Sequence, residues 1–373
     1  MAPPATDESF NSALVVGGCG FIGSHIVQNL LLEPGCSISV ASRNPNANRY
    51  DGVSYHAGDI TDPTFIRKLL SDVKPGVVFH VASPTANDPS ITPEEQYKTN
   101  VDGTRNLLDC AKAEPSVKAF VYTSTAAVAK GYEHFNIDET APLWEEKAKV
   151  IPYMKAKTVA DILVREANTP TDSQGRGLLT AAIRLAMVYG ERDTQYIPGQ
   201  LAAVMEKQTK VQLGDGKNFV EPTYVGNVAT AHILTAKALL TRNTGRPKVD
   251  GEAFVITDGD PQPFWDFTRR TWRHAGDQTK PEEITVIPAM LVFGMAGAVE
   301  WLYYIFTLGQ VRPPLKMSRL YLQYTILNTT YNINKAKERL GYNPIVDHDA
   351  HLKNSIEWAL KTYPDRYKGL TVV

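Results

Sequence analysis

The chain has 373 residues, 43% hydrophobic and 21% charged, an ordinary composition for a globular protein with one large core or two unequal lobes. Its formal net charge of -1, with no visible cluster of excess Lys and Arg, gives no reason to expect a nucleic-acid partner. The three cysteines are widely spaced and no Cys-x-x-Cys or His-x-x-x-His pair occurs, so neither a disulfide framework nor a metal site is predicted.

The first ten residues contain prolines and acidic residues and lack an apolar run. This composition predicts a flexible tail over residues 1–10 and not a signal peptide. We therefore expect the protein to be made and kept on the cytosolic side.

Short β-rich runs alternate with helical patterns from residue 13 to about residue 190. The runs are ALVVG, SISVAS, VSYHAG, VVFHVA, AFVYTST and TAAIRLAMVYG. This alternation predicts an α/β fold, a Rossmann-type doubly wound parallel sheet covered by helices on both faces. We expect residues 11–190 to form a dinucleotide-binding domain, to which parts of 220–260 return. Residues 191–373 are then mainly a smaller C-terminal substrate-binding lobe.

The first strand is followed by a glycine-rich turn, VGGCGFIG, at residues 16–23. Glycine permits a tight turn at Gly17, a close approach of a pyrophosphate at Gly20 and close helix packing at Gly23. The helix expected to open at residues 24–25 would offer free N–H groups to phosphates. The pattern, placed between a strand and a helix, predicts a dinucleotide site that includes Gly17, Gly20, Phe21, Ile22 and Gly23.

The second strand ends in Ser42 and Arg43, where an acidic residue would bind the ribose 2'-hydroxyl of NAD. A hydroxyl and a guanidinium can bind a 2'-phosphate instead, so the pair favours NADP. If Arg43 only covers the adenine face, NAD is the alternative. Further cofactor contacts are predicted where the third and fourth strands end, at Asp59, Ile60, Val81, Ala82 and Ser83.

The segment YMKAK, residues 153–157, places two lysines after one tyrosine. Residues i and i+4 share a helix face, so Lys157 lies beside Tyr153 and Lys155 does not. A free phenol titrates near pH ~10, and a close ammonium makes it a usable base at neutral pH. We therefore expect Tyr153 to be the catalytic base and Lys157 to stabilise it and hold the cofactor ribose.

A hydroxyl that binds the substrate oxygen is expected at the end of the fifth strand. Three hydroxyl residues are consecutive there, at residues 123–125, and chemistry alone leaves the choice open. Asn100 is expected to begin a helix, which it would cap, or to help hold a water and the Lys157 region.

One apolar segment, residues 287–308, has Glu300 as its only charge and is long enough to cross a bilayer as a helix. Its proline and glycines weaken a spanning helix, and its aromatic residues crowd the second half, as they do at a membrane interface. Three alternatives stay open: a spanning helix, a helix docked at a membrane interface, and a buried or substrate-lining segment.

These motifs resemble the extended short-chain dehydrogenase/reductase family and, within it, the 3β-hydroxysteroid dehydrogenase branch. The matching pieces run from about residue 12 to 360: GGCGFIGSHIV, HVASP, NVDGTRNLLDCA, VYTSTAAV, YMKAK, IRLAMVYGERD, NFVEPTYVGNVATAHILTA and GEAFVITDGDPQPFWDF. The last two are most similar to the decarboxylating sterol-4α-carboxylate 3-dehydrogenases.

The resemblance implies NAD(P)-dependent oxidation of a 3β-hydroxyl on a sterol or related polycyclic terpenoid, with or without loss of a 4-carboxylate. It implies Thr125 as the hydroxyl member with Ser124 beside it, Tyr153 as the acid/base and Lys157 as its activator. It also implies a peripheral contact of residues 287–308 with the endoplasmic-reticulum membrane, and homodimers through a helical face are common in the family.

Three departures from the family pattern keep the catalytic groups but leave the substrate open: Thr125 for the commoner serine, Glu221 for an aspartate, and Val16 for a threonine. A 3-hydroxyl dehydrogenase of triterpenoids or meroterpenoids would look much the same. A nucleotide-sugar epimerase or a dihydroflavonol-type reductase shares the glycine turn and Tyr-x-x-x-Lys, but the apolar segment argues against a sugar nucleotide. The intact catalytic residues argue against a cofactor-binding scaffold without turnover.

Overall fold

The computed structural model of the protein describes residues 11–85, 90–145, 147–170, 177–241, 247–308 and 319–373. The tail predicted for residues 1–10 lies outside these ranges.

Seven parallel strands form the central sheet. They are β1 (Ser12–Val16), β2 (Ser37–Ser42), β3 (Val53–Ala57), β4 (Val77–His80), β5 (Ala119–Thr125), β7 (Leu179–Leu185) and β12 (Glu252–Ile256), in the order β12-β7-β5-β4-β1-β2-β3. The strand order reverses between β1 and β4, and ligands of such sheets bind outside the carboxyl ends of the strands at that point. The glycine turn follows β1, so it lies at this point. The predicted fold class is confirmed.

Helices cover both faces of the sheet because the strands are apolar on both sides. One face carries α1 (Phe21–Leu30), α7 (Val225–Leu240) and α11 (Asn334–Leu340). The other carries α2 (Pro63–Val73), α4 (Gly103–Ala113) and α5 (Pro152–Glu166). A short α3 (Pro93–Tyr97) continues into α4 through a π-helical turn, Lys98–Asp102.

The remaining elements form smaller sheets and a helical layer. The short strands are β6 (His134–Ile137), β8 (Met187–Tyr189), β9 (Val211–Leu213), β10 (Phe219–Val220), β11 (Pro222–Tyr224), β13 (Gln262–Pro263), β14 (Thr285–Ile287) and β15 (Thr329–Tyr331). The helices are α6 (Tyr196–Met205), α8 (Phe264–His274), α9 (Ala289–Thr307), α10 (Arg319–Ile326) and α12 (His348–Thr362).

Helix α9 contains most of the apolar segment and is exposed along most of its length. Only Val292 and Ala296 are buried, against α10, whereas Met290 is 84% and Phe306 81% exposed. A purely buried segment is therefore wrong, because only one narrow stripe of the helix faces the protein, whereas a substrate-lining role stays a prediction. Within the described ranges, α9 is also the one helix long and apolar enough to cross a membrane.

Candidate active site

The glycine turn after β1 forms an open cradle. Gly17 has φ 88°, and a Cβ there would lie 2.6 Å from the Ala82 nitrogen, so the turn needs glycine. Helix α1 begins at Phe21, three residues before the predicted start, because Gly20 is already its extended N-cap and accepts the Ser24 N–H. No side chain caps this N-terminus and its first turn has no acidic residue, so its free N–H groups fit a pyrophosphate.

Gly20 and Gly23 differ in the space available for a Cβ atom. At Gly23 a Cβ would lie 2.2 Å from the Gly17 oxygen, whereas at Gly20 its nearest neighbour would be that oxygen at 3.2 Å. We expect Gly23→Ala to disrupt the turn and lower Tm. Gly20→Ala should keep Tm but weaken cofactor binding, because its methyl points into the space that a pyrophosphate would use.

Thermal unfolding and cofactor titration of both variants measure these effects. Equal losses of Tm in the two variants would contradict the distinction.

The residues predicted to contact the adenosine lie at or just after the ends of β2 and β3. The Ser42 hydroxyl accepts the Cys19 N–H at 3.4 Å and so braces the glycine turn, and within the described ranges its own O–H donates to no other group. Arg43 is exposed and has no hydrogen-bond or ion-pair partner in the described part of the chain. One Asp59 oxygen accepts the Thr61 N–H at 2.8 Å. Ile60 is buried, so it can offer a cofactor only its backbone.

The segment after β4 crosses the glycine turn. Val81 and Ala82 are half-buried, and the Ala82 backbone lies directly against Gly17. The Ser83 hydroxyl donates to Asn100 Oδ1 at 2.7 Å. Asn100 itself lies inside the π-helical turn and donates to Gln96, so the prediction that it begins and caps a helix is wrong. The physical reason is that a capping box at residues 92 and 95 starts the helix earlier.

Helix α5 presents Tyr153 and Lys157 on the face that packs against β5. Lys157 is 3% exposed and its Nζ donates to the Thr123 carbonyl at 2.6 Å. Burial lowers the pKa of Lys157 to about 7, and the charge of Asp161 opposes the shift. Burial raises the pKa of Tyr153 to about 12, and a hydrogen bond with the Thr125 side chain opposes that shift.

The two candidate hydroxyls at the end of β5 are in different places. Thr125 lies within hydrogen-bonding reach of the Tyr153 phenol. Ser124 instead donates to Asp161 at 2.7 Å, and Asp161 is two helical turns, about 12 Å, along α5 from Tyr153. The Ser124 hydroxyl is therefore directed at Asp161 and not at the Tyr153 phenol, which corrects its inclusion among the catalytic candidates.

A buried ion cluster was missed in the sequence. The Asp161 carboxylate is fully buried and accepts hydrogen bonds from Arg184 at 2.8 and 3.0 Å, from Arg165 at 3.0 Å and from Ser124. Burial would raise the pKa of Asp161, but the hydrogen bond and charge of Arg184 hold it below its usual value. The i, i+4 spacing from Asp161 to Arg165 was the available signal.

Aromatic side chains near Thr125 were also missed. The Ala127 N–H donates to Thr125 Oγ1 at 3.3 Å, and the Ala127 carbonyl accepts the Trp144 indole N–H at 3.1 Å. Trp144 packs on Tyr132 with ring centroids 5.5 Å apart. Burial raises the pKa of Tyr324 of α10, and the nearby phenols of Tyr153 and Tyr132 raise it further. Aromatic side chains therefore lie near Tyr153.

Comparison with known families matches residues 14–287 to the 3-beta hydroxysteroid dehydrogenase/isomerase family. The chain belongs to this family. It is 36% identical to a decarboxylating sterol-4-alpha-carboxylate 3-dehydrogenase of Gibberella zeae over 80% of this chain and 95% of that protein. The enzyme of the same description from Schizosaccharomyces pombe is 34% identical, over 93% of this chain and 97% of its own length.

The fold also has solved neighbours. The UDP-glucose 4-epimerase of Thermus thermophilus in complex with NAD superposes with a TM-score of 0.65 at 22% identity, covering 96% of this chain and 99% of that chain. At this identity the likeness concerns the fold. With the family match, the predicted resemblance and enzyme class are confirmed, and the protein is an NAD(P)-dependent oxidoreductase.

Proposed function

We propose that the protein oxidises the 3β-hydroxyl of a sterol that carries a 4-carboxylate, and that the resulting ketone loses carbon dioxide. The observation that supports this proposal is the position of the Thr125 hydroxyl against the Tyr153 phenol, with the Lys157 ammonium on the Thr123 carbonyl of the same strand, β5. The names of the family relatives support the sterol 4-carboxylate as substrate.

Each of the three residues has one task in the oxidation. Thr125 hydrogen-bonds the sterol oxygen and orients it toward Tyr153. Tyr153 takes the hydroxyl proton, and the Lys157 ammonium stabilises the phenolate needed for this. A bound nicotinamide dinucleotide supplies the acceptor for the hydride that leaves the same carbon.

Loss of the carboxylate follows from the product's own chemistry. A 3-ketone beside a 4-carboxylate is a β-keto acid, whose carbon–carbon bond to the carboxylate breaks to give carbon dioxide and an enolate. Protonation of the enolate carbon completes the ketone. No further acidic or basic side chain is required for this step.

We propose that the protein binds NADP in preference to NAD. The exposed Arg43, with no partner in the described ranges, is available to a 2'-phosphate, and Ser42 retains a free O–H. The Arg43→Ala variant should have a lower ratio of kcat/KM with NADP to kcat/KM with NAD than the wild type. An unchanged ratio would contradict the role of Arg43.

Purified protein with a 3β-hydroxysterol, a 4-carboxysterol or a triterpenoid 3-alcohol, each with both cofactors, tests the activity. Formation of reduced cofactor and release of carbon dioxide are measured together. Ketone without carbon dioxide from the 4-carboxysterol would favour the non-decarboxylating dehydrogenase. Turnover of a UDP-sugar and of no polycyclic alcohol would overturn the proposal.

We further propose that α9 lies at the surface of a membrane. The resemblance to the sterol dehydrogenases implies that this membrane is the endoplasmic reticulum. Glu300, in the second half of α9, binds the Arg319 side chain at 2.7 Å and its N–H at 2.8 Å. α10 therefore begins beside α9, and its Leu322 packs on the same helix. A spanning α9 would place this ion pair at membrane depth, so an interfacial helix is favoured.

The double variant Trp301→Glu/Phe306→Glu should bind neutral lipid vesicles at least about 100-fold less tightly. The reason is that each large apolar side chain buried in lipid contributes about 1.5–3 kcal/mol. Vesicle flotation measures the bound fraction. Leu32→Glu, at an equally exposed leucine far from α9 in the sequence, is the matched control. Equal flotation of the double variant and the wild type would exclude α9 as the contact.

A homodimer, common in the family, completes the proposal. The outward side of α5 offers an apolar face for it, where Val159, Ile162 and Leu163 line a groove with Trp144. The molar mass from light scattering tests this assembly.

A further inference from the structure

Among the described residues, no carboxylate binds the Lys157 ammonium directly. In the part of the chain that the structure describes, its ammonium donates to the Thr123 carbonyl at 2.6 Å and lies 4.3 Å from the centroid of the Tyr122 ring. Asp161 is the nearest opposite charge in sequence, but the two arginines and Ser124 already occupy its oxygens. The side chain in direct contact with the ammonium is therefore an aromatic ring.

Tyr122 is held rigidly in this position. It is 1% exposed and lies on β5, where its backbone pairs with His80 on one side and Ala182 on the other. Its phenol oxygen has no hydrogen-bond partner within the described ranges. The part of the side chain that faces Lys157 is thus the ring, whose negative face attracts a cation.

The other titratable groups around Lys157 do not replace this contact. The His80 ring is 5.2 Å from the Tyr122 ring, and burial, with the charge of Lys157, lowers its pKa to about 3, so it is neutral. Among the described residues, the groups near Lys157 are Tyr122 from β5, His80 from β4 and Asp161 from α5, which is bound by Arg184 from β7. Tyr153 lies one helical turn before Lys157 on α5.

We propose that Tyr122 is a positioning residue that keeps the Lys157 ammonium charged and directed at Tyr153 through a cation–π contact. This inference rests on the proposed function for its effect on turnover. A desolvated contact of this kind favours the protonated form of the lysine roughly thirtyfold.

Fluorinated phenylalanines at position 122 test the contact without changing the shape of the core. Tyr122→Phe, which keeps the ring face, is the reference, and one, two and three ring fluorines then weaken the attraction stepwise. With more fluorines, the alkaline fall of kcat should move stepwise to lower pH, by about one unit in total, because Lys157 loses its proton more readily. A purely structural role would leave the pH profile in place.

A second measurement needs no sterol. Binding of NAD or NADP alone, followed by tryptophan fluorescence across pH, should weaken at a progressively lower pH along the same series, because the Lys157 ammonium holds the ribose. If the sterol activity proves wrong, this titration still tests the contact.

The pair Tyr122→Leu and Phe120→Leu is the matched control for core packing, since both rings are buried on the same side of β5. Both should lower Tm, but only Tyr122→Leu should move the two pH profiles. Unchanged profiles in the fluorine series, or equal shifts in both leucine variants, would overturn the proposal.

Discussion

We expect Tyr153→Phe to lower turnover of the sterol alcohol by about 10²- to 10⁴-fold, the range that a positioned acid–base group contributes. The variant keeps the ring and removes only the oxygen that accepts the substrate proton. Burial raises the pKa of Tyr153 to about 12, so at neutral pH the phenolate forms only with the help of a nearby positive charge. Steady-state kcat with a 3β-hydroxysterol measures the effect.

Cofactor affinity and Tm serve as the controls for Tyr153→Phe, because both should stay close to those of the wild type. Thr125→Val is the companion variant, since it removes the neighbouring hydroxyl and keeps a β-branched side chain. A Tyr153→Phe enzyme with normal kcat would exclude Tyr153 as the base.

The second large loss of kcat is expected for Lys157→Ala, whereas Lys155→Ala should leave kcat nearly unchanged. A positive charge within about 4–6 Å shifts the pKa of a neighbouring acid by about 1–3 units, so loss of Lys157 should cost about 10- to 10³-fold in kcat at neutral pH. The sign follows from the charge: without the ammonium the pKa of Tyr153 is higher, and the acid limb of the pH–rate profile moves to higher pH.

Lys155→Ala is the matched control, two residues away on the same helix. Lys155 is half-buried at the outer groove of α5 beside Trp144 and does not face Tyr153, so its loss should change kcat by no more than about twofold. Equal losses in the two variants would mean that the spacing argument for Lys157 fails.

Local sequence rules were sufficient for parts of the site that depend on spacing. The i, i+4 relation of Tyr153 and Lys157 and the steric demands of Gly17 and Gly23 are properties of a helix and of a turn. They hold whatever packs around them.

Other parts depend on tertiary packing. Three consecutive hydroxyls at the end of β5 cannot be ranked until the helices on each face are known, which is how Thr125 rather than Ser124 comes to lie beside Tyr153. The contact between the Tyr122 ring and Lys157 also depends on this packing, and no local sequence pattern predicts it. The exposure of α9 was equally hidden, because a core helix and a membrane-contacting helix have similar composition.

The buried Asp161 cluster has a consequence for the order of folding during synthesis. Its members come from β5, α5 and β7, at residues 124, 161, 165 and 184. Removing one partner from a buried ion cluster costs several kcal/mol, and Arg165 alone leaves two of the three arginine hydrogen bonds to Asp161 unmade, so α5 gains little by docking on the sheet before Arg184 is present. On a ribosome, Tyr153 would therefore reach its place only after β7 has emerged from the exit tunnel.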